Sequence, residues 1–118
     1  MIISFGLTTK ELLSGYKTVT RRDWAAVTFY TWVKAWTRKQ LIHDAYDRNP
    51  RNGGVKIGTI KLKACPRLQI LKNMNGNDFR AEGGMVHSIE DFCNLIGKKP
   101  QDIITVIKFK FIPLNGDE

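Results

Sequence analysis

The chain has 118 residues, the usual length of one domain, so a second independent core is not expected. Nineteen Lys and Arg against eleven Asp and Glu leave a net charge of +8, which favours an anionic partner such as nucleic acid. The absence of an apolar run of about 18 residues excludes a membrane-spanning helix, and the first six residues are too short and uncharged for a secretory signal. We therefore expect a cytoplasmic protein with one domain over residues 1–112 and a loose tail at 113–118.

The cysteine and histidine residues do not have the spacing of a metal site. Cys65, Cys93, His43 and His87 form neither C-x-x-C nor H-x-x-x-H. Two cysteines are also too few for a disulfide scaffold, and in a reducing compartment they are expected to be small buried hydrophobes. We predict no metal and no cofactor.

The first part of the chain predicts a strand, a short helix and a second strand. Residues 2–5 form a short apolar run. Thr8, followed three residues later by Glu11, matches a capping box, and Gly15 stands where the helix should end. Residues 16–22 alternate Thr and Val with basic side chains, which is typical of a strand.

From residue 24 to residue 46 neither Gly nor Pro interrupts the chain. Phe29, Trp32, Val33 and Trp36 recur there at helical spacing, so the pattern predicts a long helix, continuous or broken, with Trp32 and Trp36 in the core. Residues 47–54 then combine turn-forming residues with two arginines, which predicts an exposed basic loop.

The second half of the chain predicts two strands with a helix between them. Residues 55–65 alternate like a strand whose apolar parity slips at Gly58, which indicates a β-bulge. Ser88 is a predicted N-cap for a helix that Gly97 ends, and residues 103–112 form the strongest strand pattern. This order of elements favours a mixed α/β (α+β) fold, a mostly antiparallel β-barrel with helices packed outside.

Residues 15–22 read Gly-Tyr-Lys-Thr-Val-Thr-Arg-Arg and resemble the signature of the ASCH family. The resemblance extends to Gly53 and Gly54 before a strand, to the acidic residue Glu82 before two glycines, and to the closing strand. It implies a PUA-like barrel that handles RNA or modified nucleosides.

One branch of that family removes the acetyl group from the exocyclic amine of modified cytidine, and the resemblance carries its catalytic residues to Lys17, Thr20 and Glu82. A threonine hydroxyl can attack an amide if a neutral lysine accepts its proton, and a carboxyl group can protonate the leaving amine. The backbone N–H groups of Gly83 and Gly84 are candidate donors to an oxyanion.

This catalytic hypothesis makes a structural demand. Residues three apart on a regular strand point to opposite faces, so Lys17 and Thr20 converge only if the chain bends between residues 19 and 21. Without the resemblance, the basic residues of this segment are better interpreted as the solvated face of an edge strand.

The sequence leaves three functional hypotheses open. The favoured one is an RNA-binding or modified-nucleoside-binding protein with a basic cleft that holds a base or phosphates, the phosphates through Lys17, Arg21, Arg22, Arg48 and Arg51. The alternatives are a hydrolase of acylated nucleosides and a metal-independent ribonuclease that use the same cleft. The predicted ligand-binding residues are Thr18, Arg21, Arg22, Trp24, Arg48, Arg51 and Gly83.

Overall fold

The structure is a computed structural model and describes residues 1–84 and 86–114. Its strands are β1 (Ile2–Ser4), β2 (Val19–Arg22), β3 (Ile42–Tyr46), β4 (Lys56–Leu62), β5 (Arg67–Ile70) and β6 (Ile103–Pro113). Its α-helices are α1 (Thr9–Leu13), α2 (Ala26–Thr37), α3 (Gly76–Ala81) and α4 (Ile89–Ile96), and two short 3₁₀ turns cover Pro50–Asn52 and Leu71–Asn73.

The strands form one curled sheet in the order β1-β3-β4-β6-β2, and β5 pairs with β6 off this path. All of these pairings are antiparallel except β1 with β3. The sheet curls into a half-barrel with the helices packed outside, which is consistent with a PUA-like fold. The predicted α+β class is confirmed.

Strand β6 is the centre of the sheet because three strands pair with it. Its first half lies between β2 and β5, and its second half pairs with β4. Strands β4 and β5 follow one another along one side of β6, and the short stretch between them, which contains Pro66, shifts the register by two residues. Proline has no N–H to donate, so it is accommodated where the pairing is interrupted.

The β-bulge predicted at Gly58 is confirmed. The register between β3 and β4 shifts between Ala45 and Tyr46, opposite Gly58, whose φ of +159° few other residues adopt. A Cβ atom here would lie only 2.4 Å from the carbonyl oxygen of Ile112. Glycine is therefore required for the close approach of β4 to β6.

Two hydrophobic cores lie on opposite faces of the sheet. The main core packs α1 and α2 against one face and contains the buried residues Ile3, Phe5, Leu12, Trp32, Ala45, Ile60, Leu62, Ile107 and Phe109. The second core packs α3 and α4 against the first half of β6 and contains Leu71, Met74, Phe79, Phe92, Cys93 and Ile104. Cys93 is buried as expected, whereas Cys65 is exposed, so the prediction of a buried residue is wrong there.

The long helix predicted over residues 24–46 is wrong in its last third. Helix α2 ends at Thr37, Lys39 takes a left-handed φ of +61°, and the chain enters β3. Strand β3 pairs with β1 on one side and β4 on the other, and His43 and Ala45 face the main core. Pairing on both sides satisfies the backbone of this segment, and such tertiary interactions override the local helical pattern.

The predicted ends of α4 are confirmed, but the predicted start of α1 is not. The capping box predicted at Thr8 is wrong, because the described atoms contain no side-chain capping hydrogen bond at the start of α1. Ser88 caps α4 and Gly97 ends it with a left-handed φ, as predicted.

The remaining predictions concern the ends of elements and of the chain. The strand predicted over residues 16–22 begins only at Val19. Of the predicted tail, Pro113 is the last residue of β6 and residues 115–118 lie outside the described part of the chain. No helix in the described ranges is long and apolar enough to cross a membrane.

Candidate functional site

A cleft of about 310 Å³ lies between the β1–α1 connection and helix α4. Its apolar lining comes from both walls and comprises Phe5, Leu7, Phe92, Leu95 and Ile96. Its polar lining comes from the second strand region and the end of α3 and comprises Lys17, Thr20, Arg21, Arg22 and Glu82. The three proposed catalytic residues therefore line one cleft.

The start of β2 explains how Lys17 and Thr20 reach the same cleft. Lys17 lies before the strand, in a stretch where Thr18 N donates to Ala81 O at 2.8 Å and Phe109 N donates to Thr18 O at 2.9 Å. The strand-to-loop transition that the catalytic hypothesis demands thus exists, but just before Val19 rather than between residues 19 and 21. Strand parity does not apply to Lys17, because it is outside the strand.

Glu82 is the anion at the centre of the polar lining. Lys17 Nζ donates to Glu82 Oε1 at 2.8 Å and to the Glu82 carbonyl oxygen at 2.7 Å, and Arg21 Nη1 donates to Glu82 Oε2 at 2.9 Å. The side chains of Lys17 and Glu82 are only 3% and 10% exposed. Each carboxylate oxygen is therefore paired with one cation away from bulk water. Such charge-assisted bonds hold the group in one orientation.

Arg21 extends this group of charges to Asp78 on α3. Its side chain is fully buried; Nε donates to Gln69 Oε1 at 2.9 Å, and Nη2 lies 3.2 Å from Asp78 Oδ1. That separation makes an ion pair, but Nη2 has no hydrogen-bond acceptor among the described residues, so the contact is not a well-directed bond. We call Lys17, Arg21, Asp78 and Glu82 the ionic cluster.

Arg22 lies beside the cluster and orients Thr20. Its Nε donates to Thr20 Oγ1 at 3.0 Å, its Nη2 donates to the Ser4 carbonyl oxygen at 2.5 Å, and its guanidinium lies 5.0 Å from the centre of the Phe5 ring. Burial lowers the pKa of Arg22 to about 10, although the charge of Glu82 opposes the shift. The Thr20 hydroxyl oxygen accepts from a cation, and within residues 1–84 and 86–114 it donates no hydrogen bond.

The pKa of Lys17 is lowered from its ordinary value. Burial is the largest cause; Arg22 and Arg21 add to it, and the charge and hydrogen bond of Glu82 oppose it. Desolvation disfavours the ammonium form of a lysine even when a carboxylate is near. The amine of Lys17 is therefore closer to the neutral state than a solvated lysine is.

The role predicted for Gly83 and Gly84 as oxyanion donors is wrong. Gly83 N donates to Arg80 O at 3.0 Å and Gly84 N donates to Phe79 O at 2.9 Å, so both N–H groups close the end of α3. Both glycines have positive φ, +123° and +74°, and a Cβ at Gly83 would lie 3.3 Å from Glu11. Their role in this structure is to let the chain turn tightly against α1 directly after Glu82.

Four of the other predicted ligand-binding residues do not line the cleft as far as the structure describes it. Trp24 stacks on Trp32 at 5.2 Å between ring centres and packs against the main core. Thr18 lines a second cavity, on the other side of β2. Arg48 and Arg51 are exposed in the β3–β4 connection.

The β3–β4 connection nevertheless leaves the sheet near the cleft. Strands β1 and β3 are parallel, so their carboxyl ends meet at one edge, where Phe5 N donates to Tyr46 O at 2.9 Å. Gly6, which lines the cleft, packs beside the Asp47 carbonyl oxygen. The basic loop thus begins at the rim of the cleft, with its arginines in solvent.

The apolar wall contributed by α4 was not predicted as part of a site. Phe92, Leu95 and Ile96 repeat at helical spacing, which predicts a core-facing stripe. Leu95 is nevertheless 42% exposed. That exposure is visible only in the structure, because helical spacing alone does not distinguish a cleft wall from a core-facing stripe. Gln69 and Asp78, which hold Arg21, carried no signal in the sequence.

The described side chains contain no group of three or more His, Cys, Asp and Glu residues that would hold a metal ion.

The fold and the cleft define an α+β domain, consistent with a PUA-like fold, with a charged cleft between apolar walls. No protein-family model and no curated protein matches the sequence. Among solved structures, the chain is similar to protein EF3133 from Enterococcus faecalis V583, assigned to the DUF984 family, with a TM-score of 0.53 and 12% sequence identity. The similarity covers 88% of this chain and 66% of that protein, so the chain spans slightly less than two thirds of its neighbour's length. At this identity the similarity concerns the fold alone.

Proposed function

We propose that the protein is an ASCH-type module that binds a nucleoside base, free or within RNA, in the cleft between the β1–α1 connection and α4. The observation that carries the proposal is the buried Glu82, held between Lys17 and Arg21 inside an apolar-walled cleft. The structural neighbour supports only the fold that this proposal assumes, and the ASCH assignment rests on the sequence resemblance of residues 15–22.

The cleft has the mixed character that a base requires. A heterocyclic base has two apolar faces and an edge of donors and acceptors, and small-molecule sites generally pair apolar walls with a few fixed polar groups. Leu7 and Leu95 present exposed apolar surface, the nearly buried Phe5 and Phe92 also line the cleft, and the ionic cluster offers fixed donors and acceptors. The volume of about 310 Å³ is at the lower end of the roughly 300–1,000 Å³ typical of ligand pockets, which suits a single nucleoside.

The charges of the cleft argue against binding of a bare phosphate. An anion such as Glu82 repels phosphate, and the two cations nearest to it are already paired. A neutral base edge meets no such repulsion. The proposal therefore replaces the phosphate-holding role first predicted for Lys17 and Arg21 with a role in fixing Glu82.

Binding is tested by titrating the protein with cytidine, N4-acetylcytidine, uridine and adenosine and measuring heat or amide chemical shifts. We expect saturable binding of at least one nucleoside, with shifts in residues of the cleft. Leu95→Gln should weaken binding, because Leu95 is part of the apolar wall. The matched control is Leu68→Gln, an exposed leucine on β5, which should not. Absence of binding to all four nucleosides and to single-stranded RNA would refute the proposal.

A second candidate function is hydrolysis of an acylated nucleoside, favoured by the lowered pKa of Lys17 in the cleft that Thr20 also lines. Thr20 Oγ would attack the amide carbonyl, and the neutral amine of Lys17 would take the hydroxyl proton. Collapse of the intermediate would break the C–N bond, return a proton to the leaving amine and leave an acyl-threonine ester that water then hydrolyses.

The hydrolase hypothesis is tested with N4-acetylcytidine by following the release of cytidine and acetate. Thr20→Val should abolish release while Thr20→Ser retains part of it, and both should still bind nucleoside. Release that survives in Thr20→Val would exclude Thr20 as the nucleophile. The same protein incubated with single-stranded RNA tests the ribonuclease alternative, because cleavage shortens the substrate.

A further inference from the structure

Four lysines form a second basic region, on the face of the sheet opposite the main core. Lys61 of β4 lies directly across from Lys110 of β6, and Lys63 N donates to Lys108 O at 2.9 Å in the next rung of the same ladder. All four are exposed. We call these residues the lysine strip.

The lysine strip is not explained by protection of a sheet edge. Charged residues commonly keep edge strands from pairing with other chains, but β4 lies between β3 and β6, and β6 has β2 on its other side as far as Lys108. Of the two lysines on β6, only Lys110 lies past that pairing. Like charges directly opposite each other destabilise a sheet. Within residues 1–84 and 86–114 none of the four lysines forms an ion pair that would relieve the repulsion. A face built this way is suited to an anion supplied from outside.

The geometry of the strip matches a chain of phosphates better than a single anion. Successive rungs on one face are two residues apart, about 6.6–6.8 Å along the strand. This is comparable to the step between consecutive phosphates of an extended nucleic-acid strand. Two lysines per rung can therefore contact neighbouring phosphates, as in proteins whose basic grooves follow a single strand.

The strip leads into a cavity of about 390 Å³ between β6, the start of β2 and helix α3. Lys63 and Lys108 line this cavity together with Thr18, Asn77 and Asp78. The carboxylate of Asp78 is already engaged, because it pairs with Arg21 and accepts from Asn75 N at 3.0 Å. The cavity thus offers two cations, a hydroxyl and an amide next to a carboxylate whose charge is compensated.

We propose that the lysine strip binds the phosphate backbone of single-stranded RNA, and that the cavity beside α3 accommodates one nucleotide of the bound strand. None of the strip or cavity residues lines the described cleft, so this surface does not depend on the function proposed for the cleft. An anionic membrane surface matches the lysine strip less well than RNA does. The strip is narrow and ends in a recess, so a flat membrane would contact fewer of its lysines than an RNA strand that follows the strip.

The test measures binding of a fluorescein-labelled 12-residue oligouridine by fluorescence anisotropy between 50 and 200 mM salt. The strip variant carries Lys61→Gln, Lys63→Gln, Lys108→Gln and Lys110→Gln. We expect its affinity at 50 mM salt to fall at least tenfold. We also expect the slope of log affinity against log salt to fall by about 0.7 for each phosphate that the variant no longer neutralises.

The matched control removes the same charge from exposed residues elsewhere, with Lys10→Gln, Lys34→Gln, Arg38→Gln and Lys72→Gln. It should keep most of the affinity. Equal losses of affinity in the control and strip variants would overturn the proposal, because net charge alone would then explain binding. So would an absence of oligouridine binding at 50 mM salt, or strip-dependent binding to phosphatidylserine vesicles without oligouridine binding.

Discussion

The ionic cluster and the lysine strip use similar cations in opposite ways. In the cluster, Lys17 and Arg21 are buried and both contact the carboxylate of Glu82. In the strip, the lysines are exposed and Lys61 faces another lysine, Lys110. Buried paired charges hold a rigid arrangement, whereas exposed unpaired charges attract a partner over a distance. The net charge of +8 therefore includes cations in two different environments, one buried and paired and one exposed.

The difference between the regions follows from what covers each part of the sheet. The first half of β6 and the strand β2 beside it are covered by α3, α4 and the turn that carries Glu82. The second half of β6 and β4 are bare on the face that carries the strip. Because burial penalises unpaired charge, the covered cations need carboxylate partners and the bare ones do not.

Removal of the anion of the ionic cluster should have the largest effect on stability. Glu82→Ala leaves Lys17 and Arg21 buried without their shared carboxylate, which should lower the free energy of unfolding by about 3–5 kcal/mol. Urea denaturation followed by circular dichroism measures this decrease. The control Glu90→Ala, an exposed residue in the first turn of α4, should change it by less than about 1 kcal/mol. A decrease as small as the control's would mean that the cluster behaves like a solvated ion pair.

A substitution in the turn after Glu82, which positions the ionic cluster, should cause the next largest loss of stability. Gly83→Ala places a Cβ in a conformation with φ of +123°, 3.3 Å from Glu11, and should destabilise the fold by about 1–3 kcal/mol. Thermal unfolding measures the change. Gly76→Ala is the matched control because a Cβ there meets nothing within 4 Å, and its midpoint should stay within a few degrees of the wild type. A harmless Gly83→Ala would contradict the requirement for glycine after Glu82.

The burial of Lys17 should make the free energy of unfolding depend on pH. Its pKa is lowered in the folded state by burial, so between that value and 10.5 the unfolded chain binds more protons than the folded one. The contribution of Lys17 to the free energy of unfolding should therefore rise with pH in that window, with a slope of at most about 1.4 kcal/mol per pH unit.

The measurement compares the wild type with Lys17→Met by urea denaturation from pH 7 to pH 10. Subtracting the two curves removes the titration of groups that both proteins share. A difference that falls as pH rises would mean that Glu82 outweighs burial and that the pKa of Lys17 is raised instead.

The smallest expected effect has the opposite sign and concerns the lysine strip. Lys110→Glu places a carboxylate opposite Lys61 and should stabilise the fold by about 0.2–1 kcal/mol, because an attraction replaces a repulsion. Thermal unfolding at low salt measures the gain, and Lys110→Gln should give a smaller one. Destabilisation by Lys110→Glu would show that the strip contributes to folding, as the ionic cluster does.

Signals that act within a few residues were sufficient to predict several parts of the fold. Ser88 and Gly97 mark the two ends of α4, and the alternation of residues 103–112 predicts β6. The parity slip at Gly58 predicts the bulge. In each case hydrogen bonding, sterics or side-chain alternation within the segment decides its conformation, so the local sequence is sufficient to predict it.

The sequence failed where a segment's partners are distant. Residues 42–46 satisfy a helical pattern as well as a strand pattern, and only pairing with β1 and β4 makes them β3. At the site, a family resemblance points to Lys17, Thr20 and Glu82 but does not predict their environment. The ion pair between Lys17 and Glu82, which are 65 residues apart, and the apolar wall from α4 follow from tertiary packing.

The amino-acid sequence is thus sufficient to predict the class of fold and the sign of the net charge, and its resemblance to a known family points to the polar residues of the cleft. Which cations are buried and paired, and which stay exposed, depends on tertiary packing. Burial depends on which elements cover a given face of the sheet, and burial in turn determines whether a charge needs a partner within the chain.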